Sequence, residues 1–350
     1  MPRNARIFLF VSAIIAVSLY LKISLAGFGN FSNLKTSTLQ PTPTIKPTLV
    51  PETRTPKATS TPVAVCRGPT SMFILLIGSD TRADNYSAGL ADSMRIVRVD
   101  FINPGVMFLT FQRDLYVEIP GIASHSNITH GKLNQAYLYG NPGFGYYDGP
   151  GQGPGLLATT LQQNFGTHVD HYIAVNLQTF VRVVDTIGGI DINLPTVIDG
   201  RVNGSTDLNR YFPAGNQHLD GYRTLLLARI RPDGDNERNN IQNLILQALA
   251  AKFLSPAALP QTPRLVEAFY GSVQTDLGAE DISKLLCLAY LLNNQKIVAF
   301  NFPDNILKGA RVKDPVLGYT FVWDVDFNLL RAYVKYFNNG TWPKASLSPP

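Results

Sequence analysis

Three short apolar runs constrain the fold of this chain more than any other feature of its sequence. They extend from Met72 to Gly78, from Met94 to Asp100 and from Val106 to Phe111. Each run is short and is flanked by polar residues, glycine or a turn signal, which favours a buried strand over a helix. Because an Asn-Pro-Gly turn separates the second run from the third, we expect the three runs to be neighbours in one sheet.

Helical spacing follows these runs. LLATTLQQNF, LQTFVRVVDTI and NNIQNLILQALAAKFL repeat apolar residues at helical intervals, whereas DHYIAVN and IDINL have the character of strands. Near the C-terminus, AEDISKLLCLAYLLNN is a candidate helix and IVAFNFP a candidate strand. This alternation predicts an α/β protein, with a layered α-β-α domain built around a central mixed sheet.

An uncharged apolar segment from Ile7 to Leu21 precedes the folded part, and a snorkelling Lys22 allows it to extend to Gly27. Residues 7–27 are therefore predicted to form a transmembrane helix. The arginines in residues 1–6 predict a cytoplasmic N-terminus and an extracytoplasmic domain, as in a single-pass protein of the cell membrane. A cleaved signal peptide is the alternative, and it also exports the domain.

Residues 28–65 are predicted to be an extracytoplasmic linker, because from Asn33 to Val65 the sequence is dominated by Pro, Thr and Lys. Residues 66–350 then form one domain. It contains two cysteines, Cys66 and Cys287. Outside the membrane a disulfide between them is allowed, and two buried thiols are the alternative.

The net charge of +5 does not point to nucleic acid. Residues 1–65 hold seven Lys/Arg and one Asp/Glu, which leaves 23 basic and 24 acidic residues in the rest of the chain. The folded part is therefore close to neutral, and we predict no nucleic acid partner.

Polar residues at the predicted strand ends suggest a ligand site. Asp80 follows the first strand and Asp92 begins the second, so the two carboxylates are expected close together, where they would share a hard cation such as Mg²⁺. Arg113 ends the third strand, and on the alternating second strand Arg95 is expected out of step with the neighbours of Asp92.

Arginines continue this pattern further along the chain. Arg229 and Arg231 are expected on one side of an extended segment, and Arg238 opens the apolar face of a helix. Guanidinium forks match phosphate oxygens, so the arginines and aspartates together suggest a pyrophosphate with its metal. A surface ion-pair network is the alternative.

Ordered motifs from Met72 to Leu254 resemble the LytR-CpsA-Psr family. FILLIGSDTR resembles its opening strand and aspartate motif, and FQRDLYVEIPG resembles its proline-arginine-aspartate motif with Gln112 in place of proline. GKLNQAY is similar to its lysine-isoleucine-asparagine motif, and VDTIGGIDINLP to its D-x-x-G-G segment. AGNQHLDGYRTLLLARIR resembles the stretch that ends in an R-x-R pair, and DNERNNIQ the D-x-x-R-x-x-R-Q helix start.

The resemblance implies a phosphotransferase that moves a glycopolymer from a polyprenyl pyrophosphate carrier to peptidoglycan, with the lipid in an apolar cleft. Asp80 and Asp92 would hold Mg²⁺. The implied residues that bind the pyrophosphate and carry the reaction are Arg113, Arg229, Arg231 and Arg238, joined in substrate binding by Lys132 and Gln242.

Leu90 and Ile241 stand where the family often has arginine. This leaves two further hypotheses open: a non-catalytic extracytoplasmic binder of lipid-linked glycan or wall polymer, and an anchored scaffold whose charges are incidental.

Overall fold

A computed structural model describes residues 63–81, 86–201, 205–230, 235–253, 272–292, 296–344 and 347. The predicted cytoplasmic segment, the predicted transmembrane helix and residues 28–62 of the predicted linker lie outside these ranges, as does Arg231. In the part of the chain that is described, no helix is both long enough and apolar enough to cross a membrane.

Six strands form the central sheet, in the order β11-β6-β1-β2-β3-β12 once the strands of the described residues are numbered along the chain. The strands are β1 (Ser71–Ser79), β2 (Ala91–Asp100), β3 (Gly105–Phe111), β4 (Tyr116–Glu118), β5 (His130–Lys132), β6 (His171–Asn176), β7 (Ile190–Leu194), β8 (Ile198–Asp199), β9 (Tyr211–Phe212), β10 (Gly215–Leu219), β11 (Val273–Thr275), β12 (Ile297–Asn301), β13 (Lys308–Asp314) and β14 (Gly318–Asp324).

The sheet is mixed, as the sequence predicts. Strand β2 runs antiparallel to both β1 and β3, while β1 is parallel to β6 and β3 is parallel to β12. The three apolar runs are therefore adjacent strands. It also follows that β1, β3, β6 and β12 all end at one edge of the sheet, where β2 begins. We call this the carboxyl edge.

Helices cover both faces of the sheet. They are α1 (Leu133–Gly140), α2 (Gln152–Phe165), α3 (Leu177–Thr186), α4 (Gly221–Arg229), α5 (Asp235–Phe253), α6 (Ala279–Leu291) and α7 (Phe327–Asn338). Leu75 and Ile96 belong to a core cluster with Leu161 of α2 and Tyr333 of α7. Ile74 and Val99, on the opposite face, cluster with Leu288 of α6. This α-β-α layering explains why the strands are apolar on both sides.

A second apolar cluster lies beside the sheet. It joins α3, α4 and α5 to the antiparallel pair of β7 and β10 through residues such as Val184, Leu219, Leu227 and Ile245. Strand β7, predicted from IDINL, pairs with β10 in a separate two-stranded sheet. The long helix α5 thus packs on this second unit and also reaches the central sheet through its polar residues.

Cys66 and Cys287 form a disulfide. Cys66 lies in a short helical turn before β1 and packs against the cluster that contains Leu288. The bridge therefore ties α6 to the start of the domain, and the predicted pairing is present.

Candidate functional site

The carboxyl edge brings together the first group of predicted site residues. Asp80 follows β1 directly, Asp92 lies near the start of β2, and Arg113 follows β3. In the register of β1 and β2, Gly78 pairs with Ser93 but Ser79 pairs with Ala91, so Asp92 is the extra residue of a β-bulge. Bulges re-aim side chains and are common next to functional sites.

Two hydrogen bonds hold Asp80 against Leu90. The amide of Asp80 donates to the carbonyl of Leu90 at 3.1 Å, and the amide of Leu90 donates to Asp80 Oδ1 at 2.7 Å. The Asp80 carboxylate is thereby held against a residue that precedes Asp92 by two positions. Leu90 serves this link through its backbone, which any residue other than proline would provide.

Four side chains of alternating charge form a continuous chain of contacts, which we call the charged chain: Asp92, Arg113, Asp114 and Lys132. Arg113 Nη1 donates to Asp92 Oδ1, and Arg113 Nε donates to Asp114 Oδ2 at 3.1 Å. Lys132 Nζ donates to Asp114 Oδ1 at 2.8 Å.

Exposure differs along the charged chain. The side chain of Asp114 is 8% exposed, whereas those of Arg113 and Asp92 are 19% and 37% exposed. Asp114 therefore acts as an internal anchor that orients two cations. The end formed by Asp92 and Arg113 is therefore the more exposed part of the charged chain.

A second polar group lies where α5 crosses the sheet. Arg95 of β2 is 3% exposed. Its Nη2 donates to Gln242 Oε1 at 3.1 Å, its Nε donates to Asn243 Oδ1 at 3.3 Å, and its Nη1 donates to Ser93 Oγ. Gln242 Nε2 also donates to the carbonyl of Ala228 at 3.0 Å. Gln242 therefore links β2 to the end of α4.

The predicted arginines occupy different environments. Arg229 is exposed and is the last residue of α4, so the prediction of an extended segment is wrong at Arg229, because the helix continues through it. Arg231 lies outside the described residues. Arg238 is 4% exposed near the start of α5. Its charge acts on Arg95: burial, followed by the positive charge of Arg238, lowers the pKa of Arg95 to about 10.

Ile241, at a position where the family often has arginine, is 3% exposed and belongs to the apolar cluster of α3, α4, β7 and β10. An arginine built on this backbone would therefore meet apolar side chains. The adjacent residue, Gln242, points to the polar group instead.

Sequence reasoning set aside Arg95 and did not single out Ser93 or Asn243. Alternation along β2 correctly separates Arg95 from Asp92, since Arg95 contacts Ser93 and α5. The charge of Arg95 could have identified this polar group from the sequence, because an arginine inside an otherwise apolar strand requires polar partners.

The donor set of the two strand-end aspartates suits a hard cation. Mg²⁺ typically takes one or two carboxylates and completes its shell with phosphate oxygens and water. The amide of Leu90 donates to Oδ1 of Asp80, and Arg113 pairs with Oδ1 of Asp92. Among the described residues, no group of three or more acidic, histidine or cysteine side chains is arranged to hold a metal ion.

Curated relatives match part of the chain. The polyisoprenyl-teichoic acid–peptidoglycan teichoic acid transferase TagU of Oceanobacillus iheyensis is 30% identical over 216 residues, which cover 61% of this chain and 61% of TagU. The regulatory protein MsrR of Staphylococcus aureus is 28% identical over 208 residues, covering 58% of this chain and 56% of MsrR. The matched region thus spans less than two thirds of either relative.

Solved structures share the fold. TagV of B. subtilis has a TM-score of 0.58 at 24% identity, covering 78% of this chain and 99% of TagV. TagT bound to LI-WTA has a TM-score of 0.56 at 19% identity, covering 80% and 96%. The family model of the LytR_cpsA_psr family matches residues 48–322. This chain therefore belongs to the LytR-CpsA-Psr family.

Proposed function

We propose that this protein is a membrane-anchored phosphotransferase that moves a glycopolymer from a polyprenyl pyrophosphate carrier to the peptidoglycan of the cell wall. The observation that carries the proposal is the charged chain at the carboxyl edge, with Asp80 fixed beside it. Family membership supports the reaction class, since one relative is named a teichoic acid transferase and one structural neighbour holds LI-WTA.

The proposed reaction exchanges one phosphorus–oxygen bond for another. A hydroxyl oxygen of the wall acceptor attacks the phosphorus that carries the glycan, and the bond from that phosphorus to the bridging oxygen breaks. The leaving group is the polyprenyl monophosphate, and the hydroxyl proton passes to solvent or to a nearby base. Charge therefore accumulates on the phosphate oxygens during transfer, and preorganised cations accelerate such a step.

The residues of this chain have distinct proposed roles. Arg113 binds phosphate oxygens through its fork, and Lys132, held by the same Asp114, adds a second cation behind it. Arg238 and Gln242 belong to α5, Arg229 ends α4, and Arg231 follows two residues later in the sequence. These groups orient the pyrophosphate and neutralise the departing phosphate.

Asp80 and Asp92 are the proposed ligands of Mg²⁺, which when bound would polarise the phosphate oxygens and neutralise their charge. The predicted transmembrane helix and linker would keep the domain outside the membrane but close to the bilayer that supplies the lipid carrier.

A second function is favoured by one observation. Ile241 lies in an apolar cluster, so the arginine that the family often places there has no counterpart at this position. A weaker set of phosphate-binding cations suits a non-catalytic binder of lipid-linked glycan or wall polymer.

Both functions are tested with the full-length protein in detergent micelles. The protein is mixed with a fluorescent glycan on a polyprenyl pyrophosphate and with peptidoglycan, with Mg²⁺ or with EDTA. The transferase is expected to release polyprenyl monophosphate and to label peptidoglycan only with Mg²⁺, and Asp92→Asn is expected to abolish both. Arg98→Gln is the matched control, because Arg98 lies on the same strand but pairs with Asp100 away from the site.

The outcomes separate the hypotheses. Binding of the lipid pyrophosphate without release of polyprenyl monophosphate would favour the binder. Absence of both binding and release would contradict both functions.

A further inference from the structure

One face of β2 changes character along the strand. Side chains alternate between the two faces of a strand, so Ser93, Arg95, Val97 and Val99 share one face. Val97 and Val99 are apolar and belong to the cluster that includes Leu288 of α6. Ser93 and Arg95 instead meet polar side chains of α5. The cover of this face therefore changes from apolar to polar near the carboxyl edge.

The neighbouring strands continue the polar part. Thr110 of β3 pairs with Arg95, and Asn301 of β12 pairs with Thr110. Asn301 Oδ1 accepts from Asn243 Nδ2 at 3.1 Å, and Gln112 Oε1 accepts from Asn239 Nδ2 at 2.9 Å. We call these side chains between the sheet and α5 the polar layer. Its members are Ser93, Arg95, Thr110, Gln112, Arg238, Asn239, Gln242, Asn243 and Asn301.

Arg95 is a buried cation, and the side chains that accept its hydrogen bonds in the polar layer are all neutral. Its guanidinium donates to Gln242, Asn243 and Ser93, and no carboxylate among the described residues forms an ion pair with it. A buried charge is costly unless an opposite charge compensates it. Amide and hydroxyl oxygens satisfy the N–H groups but supply no negative charge.

Arg238, on the same helix as Gln242 and Asn243, is a second buried cation. It is 4% exposed and its positive charge acts directly on Arg95. Burial and the charge of Arg238 lower the pKa of Arg95 to about 10, which means that the surroundings disfavour the charged form. An anion that binds between or beside two buried guanidinium groups would favour their charged forms.

The polar layer borders the candidate site. Ser93 follows Asp92 in the chain, and Ser93 and Gln242 are both half-buried. Arg95 therefore contacts the residue that follows Asp92, at the end of β2 where Asp92 meets Arg113. To reach Arg95, a ligand would have to displace the Ser93 or Gln242 side chain, because both accept hydrogen bonds from its guanidinium.

We propose that Arg95 is a further ligand-binding residue, which forms with Arg238 an inner subsite for a phosphate group of the donor. Arg95 would supply a positive charge that Leu90 and Ile241 do not. This inference rests on the proposed function, since the ligand is the pyrophosphate of the lipid carrier.

The test measures binding of inorganic pyrophosphate to the full-length protein in micelles by calorimetry, and the melting temperature with and without pyrophosphate. Arg95→Gln is expected to weaken binding about tenfold or more, because it removes a charged donor. The rise in melting temperature caused by pyrophosphate is expected to shrink accordingly. Arg95→Lys, which keeps the charge but not the fork, is expected to bind with intermediate affinity.

Arg98→Gln is the matched control, since Arg98 is a second buried arginine of β2, 7% exposed. It is expected to lower the melting temperature and to leave pyrophosphate affinity unchanged. Equal affinity of Arg95→Gln and Arg98→Gln would overturn the role of Arg95 alone. If Arg95→Gln does not fold, parental affinity in Arg95→Lys would overturn it. Failure of the parent protein to bind pyrophosphate would overturn the proposed function as well.

Discussion

Removing the disulfide should strongly destabilise the domain. The two cysteines are 221 residues apart, so the bridge closes a loop that contains most of the folded chain. In the chain-entropy model, a loop of this length restricts the unfolded state enough to contribute about 5 kcal/mol. That is a large part of the free energy of unfolding of an ordinary domain, so a decrease of roughly 10 to 20 °C in melting temperature is expected.

Urea denaturation of the parent and of the double variant Cys66→Ala, Cys287→Ala measures this effect. The parent is also measured after reduction, because Cys287 is exposed and a reductant can reach the bridge. Reduction and the double substitution should lower the free energy of unfolding by similar amounts. Free thiols in the unfolded, unreduced parent, or equal urea midpoints for the parent and the variant, would show that no bridge stabilises the domain.

Three further predictions follow from named contacts. Asp80→Ala and Asp92→Ala should abolish Mg²⁺-dependent binding of polyprenyl pyrophosphate and shift the melting temperature by only a few degrees, since each removes about one hydrogen bond or a partly exposed ion pair; a collapse of stability would contradict this. Arg98→Gln should lower the free energy of unfolding by about 3 kcal/mol, because it leaves Asp100 without its partner at 2.9 Å; an unchanged urea midpoint would count against it. Ile241→Arg should lower the free energy of unfolding by at least about 3 kcal/mol, because it places a charge in an apolar cluster. Tighter pyrophosphate binding with unchanged stability would contradict this, because the new arginine side chain would then reach the site.

The central strands could be predicted from the sequence because helices cover both faces of the sheet. Strands β1, β2 and β3 are consequently nearly continuous apolar runs, and the turn between β2 and β3 is short. The edges of the sheet could not be predicted in the same way. Strands β11 and β12 come from distant parts of the chain, and their pairing depends on the packing of the intervening helices.

The candidate site was predictable where it lies at strand ends. Asp80, Asp92 and Arg113 converge because β1 and β3 end at the edge where β2 begins. The anchoring role of Asp114 was not predictable, since it depends on Lys132 of β5, a strand that pairs with β4 outside the central sheet.

The environment of Arg95 could not be inferred from alternation alone. Alternation states which residues of β2 share a face, but it does not state which helix covers that face. The position of α5, set by the second apolar cluster, brings Gln242 and Asn243 onto Arg95. The same packing places Ile241 in that cluster, away from the polar layer.

The most direct test of the account is the release of polyprenyl monophosphate by the full-length protein, with Mg²⁺ and peptidoglycan present. Release is expected from the parent and from Arg98→Gln. Arg113→Ala is expected to be at least about a hundredfold slower, because a charged donor acting in the transition state is lost, and Asp92→Asn is expected to show no release. Equal rates for Arg113→Ala, Asp92→Asn and Arg98→Gln would contradict the claim that the carboxyl edge of the sheet is the site of phosphoryl transfer.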